Sequence, residues 1–398
     1  MRFSIFMLCL LLPLSVGAAE SAAPPKGQPA SFNPDVSLIL SGTATHLSND
    51  PEHYAIRGFM LGAETGPGTR GLSLGESELI ISANVDDLFY GQFTAALTPE
   101  NEMEVEEAYV QTLGLSHGLS LRAGRFYSGI GYLNSQHPHA WDFVDTALAY
   151  RALLANQYGD DGVRLSWVAP TDLFVEFGGE WLRGENFPAG GAANNGQGAA
   201  TLFAHLGGDV GASHAWRAGL SFLHARAEGR ESGALDTAPD AYSGDSRVAI
   251  ADLVWKWSPD GNPRQTNFKF QAEYLWREED GDFTADVNSV NGPAVTDAYH
   301  ATHSGWYAQA VYQFMPQWRV GLRYDQLRAQ EIAAGANATL FDTQGHTPRR
   351  ASVMLDWSHS EFSRLRLQYS SDHSQPDTDN QVFVQYIMSL GAHGAHSF

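Results

Sequence analysis

"NFKFQAEYLWR", residues 267–277, decides the fold. Phe268, Phe270, Ala272, Tyr274 and Trp276 occupy one face, while Asn267, Lys269, Gln271, Glu273 and Arg277 take up most of the other. Successive side chains of an extended chain point to opposite sides, so this stretch reads as a strand with one apolar and one polar face. The aromatic face needs an apolar medium and the charged face needs water. Its length is about the ~10 residues that a tilted strand needs to cross a bilayer.

The same alternation recurs along the chain. Trp318, Val320, Leu322 and Tyr324 oppose Arg319, Gly321, Arg323 and Asp325, and Leu365, Leu367 and Tyr369 oppose Arg364, Arg366 and Gln368. "ELIISANV", "VRLSWV", "LFVEFGGEW", "AWRAGLSF", "AIADLVWKW", "GWYAQAVYQF" and "ASVMLDW" follow the pattern. Connections alternate between short ones, such as Asp86-Asp87, "SHG" (116–118), "GAS" (211–213) and Pro316-Gln317, and long ones near 128–160, 184–198, 227–245, 278–303 and 328–347. That segregation is expected of an all-β, up-and-down transmembrane barrel whose short turns share one end. Trp167, Trp257 and Trp357 just before short turns, and Trp216 and Trp318 just after them, would lie at one height as an interfacial girdle. Counting hairpins from a first strand at 36–45 predicts sixteen strands, an even number that leaves both ends on one side. Residues 54–64 are left over, either a strand folded into the lumen or half of an added hairpin that would make eighteen strands.

The first nineteen residues combine Arg2, an apolar run from Ile5 to Leu14 and small residues to Ala19, the pattern of a secretory signal peptide. Residues 20–34, rich in Pro, Ala and Ser, read as a flexible lead-in, leaving 35–398 as one barrel domain. The single cysteine, Cys9, falls inside the leader, so no disulfide is expected in the exported chain. A formal net charge of −21 with no basic cluster argues against nucleic acid as a partner. No later stretch approaches eighteen consecutive apolar residues, which excludes spanning helices.

"LSLGESELIISANVDDLFYGQF" (72–93), "EEAYVQTLGLSHGLSLRAGRFYSGIGYLNSQHPHAWDF" (106–143), "YGDDGVRLSW" (158–167) and "QYIMSLGAHGAH" (385–396) resemble a group of Gram-negative outer-membrane barrels. Members are often labelled zinc-regulated TonB-dependent outer-membrane receptors and are distantly similar to phosphate-selective porins. The resemblance implies an outer-membrane location, a homotrimeric channel and some connection with zinc. Strands that begin by about residue 36 leave no room for the N-terminal plug of a TonB-dependent receptor, and the lysine-rich lumen of phosphate-selective porins is not visible.

Candidate pore-lining residues follow from parity. Glu76 and Glu78 share a face opposite Leu79, Ile81 and Ala83; Glu176 and Glu180 share one opposite Val175, Phe177 and Trp181; Lys269 and Glu273 lie on the polar face of the opening strand. Arg122, Arg319, Arg323, Arg364 and Arg366 supply the opposite sign. Rings of charge at a constriction set ion selectivity, although such groups equally well pair among themselves and only hydrate the interior. The longest loop, residues 128–159, contains "FVDTALAYRALLA", too apolar for an external loop. It is expected to fold into the barrel and narrow it, with a short helix near 145–156. Within it His137, His139 and Asp142, followed by Asp145, are ligand-capable for zinc, although the plain alternative is a structural loop hydrogen-bonded to the wall. The acidic stretch 277–297 departs from an EF-hand and reads as a solvated loop, with calcium or lipopolysaccharide-bridging ions as the alternative.

No catalytic constellation is visible, so a non-enzymatic protein is expected. The reading that results is a channel for passive diffusion of small hydrophilic solutes or ions, with a zinc-related uptake protein and an occluded structural barrel as alternatives. The ending "QVFVQYIMSLGAHGAHSF" (381–398) alternates toward a terminal aromatic, as expected of a closing strand read by the barrel-assembly machinery. His393 and His396 have opposite parity, so they would share a metal only if the strand breaks at Gly391 or Gly394.

Overall fold

The computed structural model describes residues 34–391 except 64, 99–101, 192–194 and 233–237. The expected leader, nearly all of the lead-in, His393, His396 and the terminal Phe398 therefore lie outside the described residues.

Sixteen antiparallel strands close into a barrel, joined by two short extra strands. One wall is formed by β1 (Asp35–Leu47), β3 (Ser77–Asn84), β4 (Phe89–Leu97), β5 (Met103–Thr112), β6 (Leu119–Tyr127), β7 (Gly159–Val168) and β8 (Phe174–Leu182). The other comprises β10 (Ala199–Val210), β11 (His214–Ser232), β12 (Asp240–Trp257), β13 (Asn267–Ala285), β14 (Val295–Met315), β15 (Trp318–Ala333), β16 (Arg349–Ser360), β17 (Ser363–His373) and β18 (Asp379–Gly391). The extra strands, β2 (Gly71–Ser73) and β9 (Gly190–Gly191), attach to β1 and, in parallel, to β11. Closure runs from Ser37 opposite Gly391 to Leu47 opposite Gln381, so β1 and β18 have no free edge along this ladder. Such closure is what lets strands cross a bilayer, because each backbone donor and acceptor finds its partner on a neighbouring strand.

The period-two reading holds at the level of side chains. On β18, Val384, Tyr386 and Leu390 are exposed on the outer face, while Gln381, Phe383, Gln385 and Ile387 are buried inside. Short turns gather at one end, where His117 and Gly118 both take positive φ (65° and 77°), as a primed two-residue turn requires.

The walls differ in height. β4 has 9 residues and β14 has 21. At ~3.3 Å per residue and a tilt of about 40°, the first rises roughly 23 Å and the second roughly 53 Å, against an apolar band about 25 Å tall. Much of the expected long loops at 227–245 and 278–303 is therefore strand, carried beyond the membrane by continued pairing such as Gly281 opposite Tyr299, whereas 328–347 is strand only to Ala333. The acidic stretch from residue 277 is likewise β13 as far as Ala285, with Arg277 and Glu279 paired at 3.4 Å inside the wall.

Residues 54–63 form neither a strand nor a hairpin arm, so the eighteenth-strand alternative does not arise there. Ile56, Phe59 and Met60 are instead buried inside the barrel, where His303 Nε2 meets the Gly58 carbonyl at 2.7 Å. The loop after β6 also turns inward, with one short helix, α1 (Leu148–Leu154), narrower than the expected 145–156. Its Leu148, Leu153 and Leu154 form a buried cluster with Leu223, Ile250, Leu275 and Leu327 from the taller wall. Among the described residues no helix is long and apolar enough to cross a membrane.

Candidate functional site: a lumen divided by an in-folded loop

The loop between β6 and β7 is bound at its root to Glu180 of β8 and, further along, to the taller wall. At its root Gly129 N–H donates to Glu180 Oε1 (2.9 Å), and Ser128 Oγ–H donates to Glu180 Oε2. Tyr132 and Leu133 N–H donate to Glu273 at 3.0 and 2.9 Å, and Tyr150 and Tyr307 hydroxyls donate to the same carboxylate at 2.7 and 2.5 Å. Gly131, with φ +65°, passes so close that a Cβ there would lie 2.2 Å from the Tyr150 hydroxyl. Further along, Asp142 is held by Lys269 Nζ (2.5 Å), Arg319 Nη1 (3.4 Å) and Gln309 Nε2 (3.0 Å). Asp145 lies among Arg350 (2.5 Å), Arg323 (2.8 Å) and Arg151 (3.2 Å).

The helix is tied at both ends. Leu148 N–H donates to Asp325 Oδ1 at 2.9 Å, and Arg277 Nη1 donates to the Ala152 and Leu153 carbonyls at 3.3 Å, supplying partners for groups that a helix leaves open at its ends. Arg366 and Arg350 donate to the carbonyls of Trp141 (2.8 Å) and Thr146 (2.7 Å), and Arg364 to that of His139. Burial alone would raise the carboxyl groups of Asp142 and Asp145, but the surrounding cations outweigh it and hold both below the ordinary aspartate range.

Against the lower wall the loop leaves space. A cavity of about 740 Å³ lies between the loop and the outer ends of β1, β5 and β6, with Glu76, Glu104, Glu106 and Tyr127 on the wall side and His139 and Asp145 on the loop side. Arg125 and Arg151 also face it, but they are engaged by Asp161 (2.7 Å) and Asp145 (3.2 Å).

A β-bulge shapes this wall. Thr94 pairs with Glu107 and Ala95 with Val105, so Glu106 is the inserted residue and, with Glu107, reaches the same inner side despite adjacent numbering. Both reach His137: Glu106 Oε2 is 3.2 Å from Nδ1, and Glu107 Oε2 is 3.0 Å from Nε2. Glu78 Oε2 is 3.3 Å from the same Nδ1, and Glu78 Oε1 lies 2.6 Å from His139 Nδ1. Burial opposes a charge on His137, but the hydrogen bonds to Glu106 and Glu107 and the nearby Glu78 outweigh it and hold the imidazole well above its usual range.

The residues singled out by parity are thus distributed unevenly. Glu76 lines the cavity and Glu78 lies beside it, whereas Glu180, Glu273, Lys269, Arg319, Arg323, Arg364 and Arg366 point inward but bind the loop or its neighbours. Arg122 donates to Gln111 at 2.7 Å and covers the Tyr109 ring, and Glu176 pairs with His205 at 2.9 Å. Of the ligand candidates, His137 and His139 come together through Glu78, but Asp142 does not join them because the Lys269 and Arg319 charges hold it on the other wall. Glu106, Glu107, Arg350 and Asp356 were not singled out by the sequence. A bulge leaves no mark in the alternation, and Arg350 sits in a stretch with no neighbouring charge at its own parity.

Residues 39–392 match the family described as "Putative beta-barrel porin-2, OmpL-like". The chain belongs to this family. It is a porin-like outer-membrane channel, and the sixteen strands and the family match set aside the receptor label, whose barrels have twenty-two. An uncharacterised protein of Aquifex aeolicus (strain VF5) is 30% identical over 354 residues, covering 83% of this chain and 70% of that protein. Among solved structures, a loop L8 deletion mutant of OmpT, an outer-membrane protein of Vibrio cholerae, aligns with a TM-score of 0.57 at 13% identity, covering 90% of this chain and 99% of the other. The outer-membrane channel DcaP of Acinetobacter baumannii gives 0.56 at 12%, over 90% and 97%. An anion-selective porin from Comamonas acidovorans gives 0.55 at 11%, over 90% and 99%. At these identities the likeness concerns the fold.

Proposed function

We propose that this porin passes small hydrophilic solutes by passive diffusion, with a preference for cations, through the space between the in-folded loop and the lower wall. The observation that carries this reading is the unequal use of charge. The arginines of β15 to β17 are engaged by Asp142, Asp145, Asp356 and loop carbonyls, whereas Glu104 and Glu106 face the cavity, where His137 meets Glu106 and the nearby arginines are already paired elsewhere. Acidic side chains in a narrow, low-dielectric passage concentrate cations and repel anions. The anion selectivity stated for the Comamonas porin is not carried over.

Planar-bilayer recording of the purified barrel under a KCl gradient is the direct test. A reversal potential of the sign set by K⁺ is expected; an anion-selective potential would refute the preference, and absence of conductance would refute the diffusion channel. We further propose export through the N-terminal leader, contacts with lipid and lipopolysaccharide, delivery through the assembly machinery, and a homotrimer. The trimer is supported by an OmpT structure of Vibrio cholerae described in trimer form, which aligns with a TM-score of 0.54. Native mass spectrometry of detergent-extracted protein checks it, and a monomer throughout would exclude it.

A further inference from the structure

Three carboxylates converge on one imidazole at the place where the loop meets the lower wall. Tyr127 and Gln92 also donate to Glu106 Oε1 and Glu107 Oε2 at 2.8 and 2.9 Å, but Glu78 Oε2 is left without a donor. His137 Nε2 faces Glu107 Oε2 at 3.0 Å, while its Nδ1 faces two oxygens at once, Glu106 Oε2 at 3.2 Å and Glu78 Oε2 at 3.3 Å. One N–H serves one of these well. Glu78 has a fully buried side chain, and its Oε2 accepts no hydrogen bond; Glu76 Oε1, beside Glu106, accepts none either. A buried carboxylate oxygen without a donor is costly, and a cation between the oxygens removes that cost.

Two of the three spacings are those of a coordination sphere. Two donors held about 2.05 Å from a tetrahedral zinc stand about 3.3 Å apart. The two edges at His137 Nδ1 measure 3.2 and 3.3 Å, and all three donor atoms lie within 4.8 Å of one another. The surroundings also fit. When the metal displaces the proton on Nδ1, Nε2–H stays with Glu107 and the Nδ1 lone pair faces Glu78 and Glu106. His139 Nδ1, 2.6 Å from Glu78 Oε1, orients the other oxygen of that carboxylate. The adjoining cavity, lined by Glu76, Glu106 and His139, offers an entry path.

We propose that Glu78 Oε2, Glu106 Oε2 and His137 Nδ1 form a binding site for one divalent transition-metal cation such as Zn²⁺, which fastens the constriction loop to the lower wall. Imidazole with carboxylate suits zinc and its neighbours in the first row better than it suits calcium or magnesium. His137 comes from the loop, Glu78 from β3 and Glu106 from the β5 bulge, so the site exists only when the loop is docked. Its existence is independent of the channel reading; its effect on current rests on it.

The test is isothermal titration of ZnCl₂ into the refolded full barrel near neutral pH, with heat-modifiable gel mobility showing that each variant is folded. One site per chain is expected. His137→Ala and Glu78→Gln should each weaken binding by about a hundredfold, and Glu107→Gln, which removes only the orienting carboxylate, by about tenfold. His205→Gln, in a His–Glu pair with no converging carboxylates, should leave the affinity unchanged. Cobalt substitution provides a second readout, a tetrahedral visible spectrum lost in Glu78→Gln. No zinc uptake by the wild-type barrel, or uptake indifferent to both Glu78→Gln and His137→Ala, would overturn the proposal. Binding without any bilayer conductance would uphold the site and refute the channel; conductance without zinc binding would do the reverse.

Discussion

The wall from β11 to β17 and the wall from β3 to β8 are built from the same alternating pattern, yet they use their inward charges differently. On the first, Lys269, Arg319, Arg323, Arg350 and Arg366 meet Asp142, Asp145, Asp356 and loop carbonyls, and the loop fills the space in front of them. On the second, Glu76, Glu104 and Glu106 face a cavity, and the loop meets the wall at its root through Ser128 and Gly129 and beside the cavity through His137 and His139. Parity says which side chains point inward. Whether an inward charge holds a loop or meets the solute depends on what lies across from it.

The comparison breaks first at Asp145. Removing one partner from a buried ion cluster costs about 3–5 kcal/mol. Asp145→Ala should therefore release the middle of the loop, seen as larger and noisier single-channel currents and as new protease cleavage within 128–158; a loop still protected would show that other contacts hold it. Acid should act in the same direction. The Asp145 carboxyl is depressed in the folded protein, so its contribution is complete above the unfolded value near 4 and declines as pH falls through the lower folded value. Protection around Asp145 should thus be flat from about pH 8 to 5 and fade only in stronger acid. Protection around His137, whose imidazole is raised, should instead be complete below about 6.5 and weaken as pH rises through its higher folded value. Glu273→Gln, which presents an amide to four donors, should loosen the loop root by about 1–3 kcal/mol and lower the unfolding temperature of the barrel.

On the lower wall the effect should appear in selectivity. Glu104→Gln combined with Glu106→Gln should reduce the cation-to-anion permeability ratio roughly threefold, read from the reversal potential, with the loop still in place. Glu278→Gln, by contrast, breaks a half-exposed pair with Arg247 at 3.1 Å on the taller wall and should change stability by less than about 0.5 kcal/mol and selectivity not at all.

The barrel was legible because a membrane strand must alternate, and "NFKFQAEYLWR" does so without interruption. The in-folding of the loop was legible too, since "FVDTALAYRALLA" had nowhere apolar to go outside. Wall height was not. Above the membrane the tall strands carry polar residues such as Glu278, Asp280 and Asp282 that look like loop, and their pairing is visible only in register with β14. Nor was the convergence on His137, because Glu106 and Glu107 are neighbours that ordinary parity sends to opposite faces and only the bulge reunites.

The difference in wall height also sets the direction from which a solute arrives. The cavity borders Met103, Glu104 and Gly159, at the outer ends of the short strands, while β14 on the far side rises about twice as high. The rim beside the cavity is therefore the low side of the barrel. Divalent ions gathered by an anionic membrane surface would reach the acidic rim by diffusing along that surface, a two-dimensional approach in which the tall strands serve as a backstop.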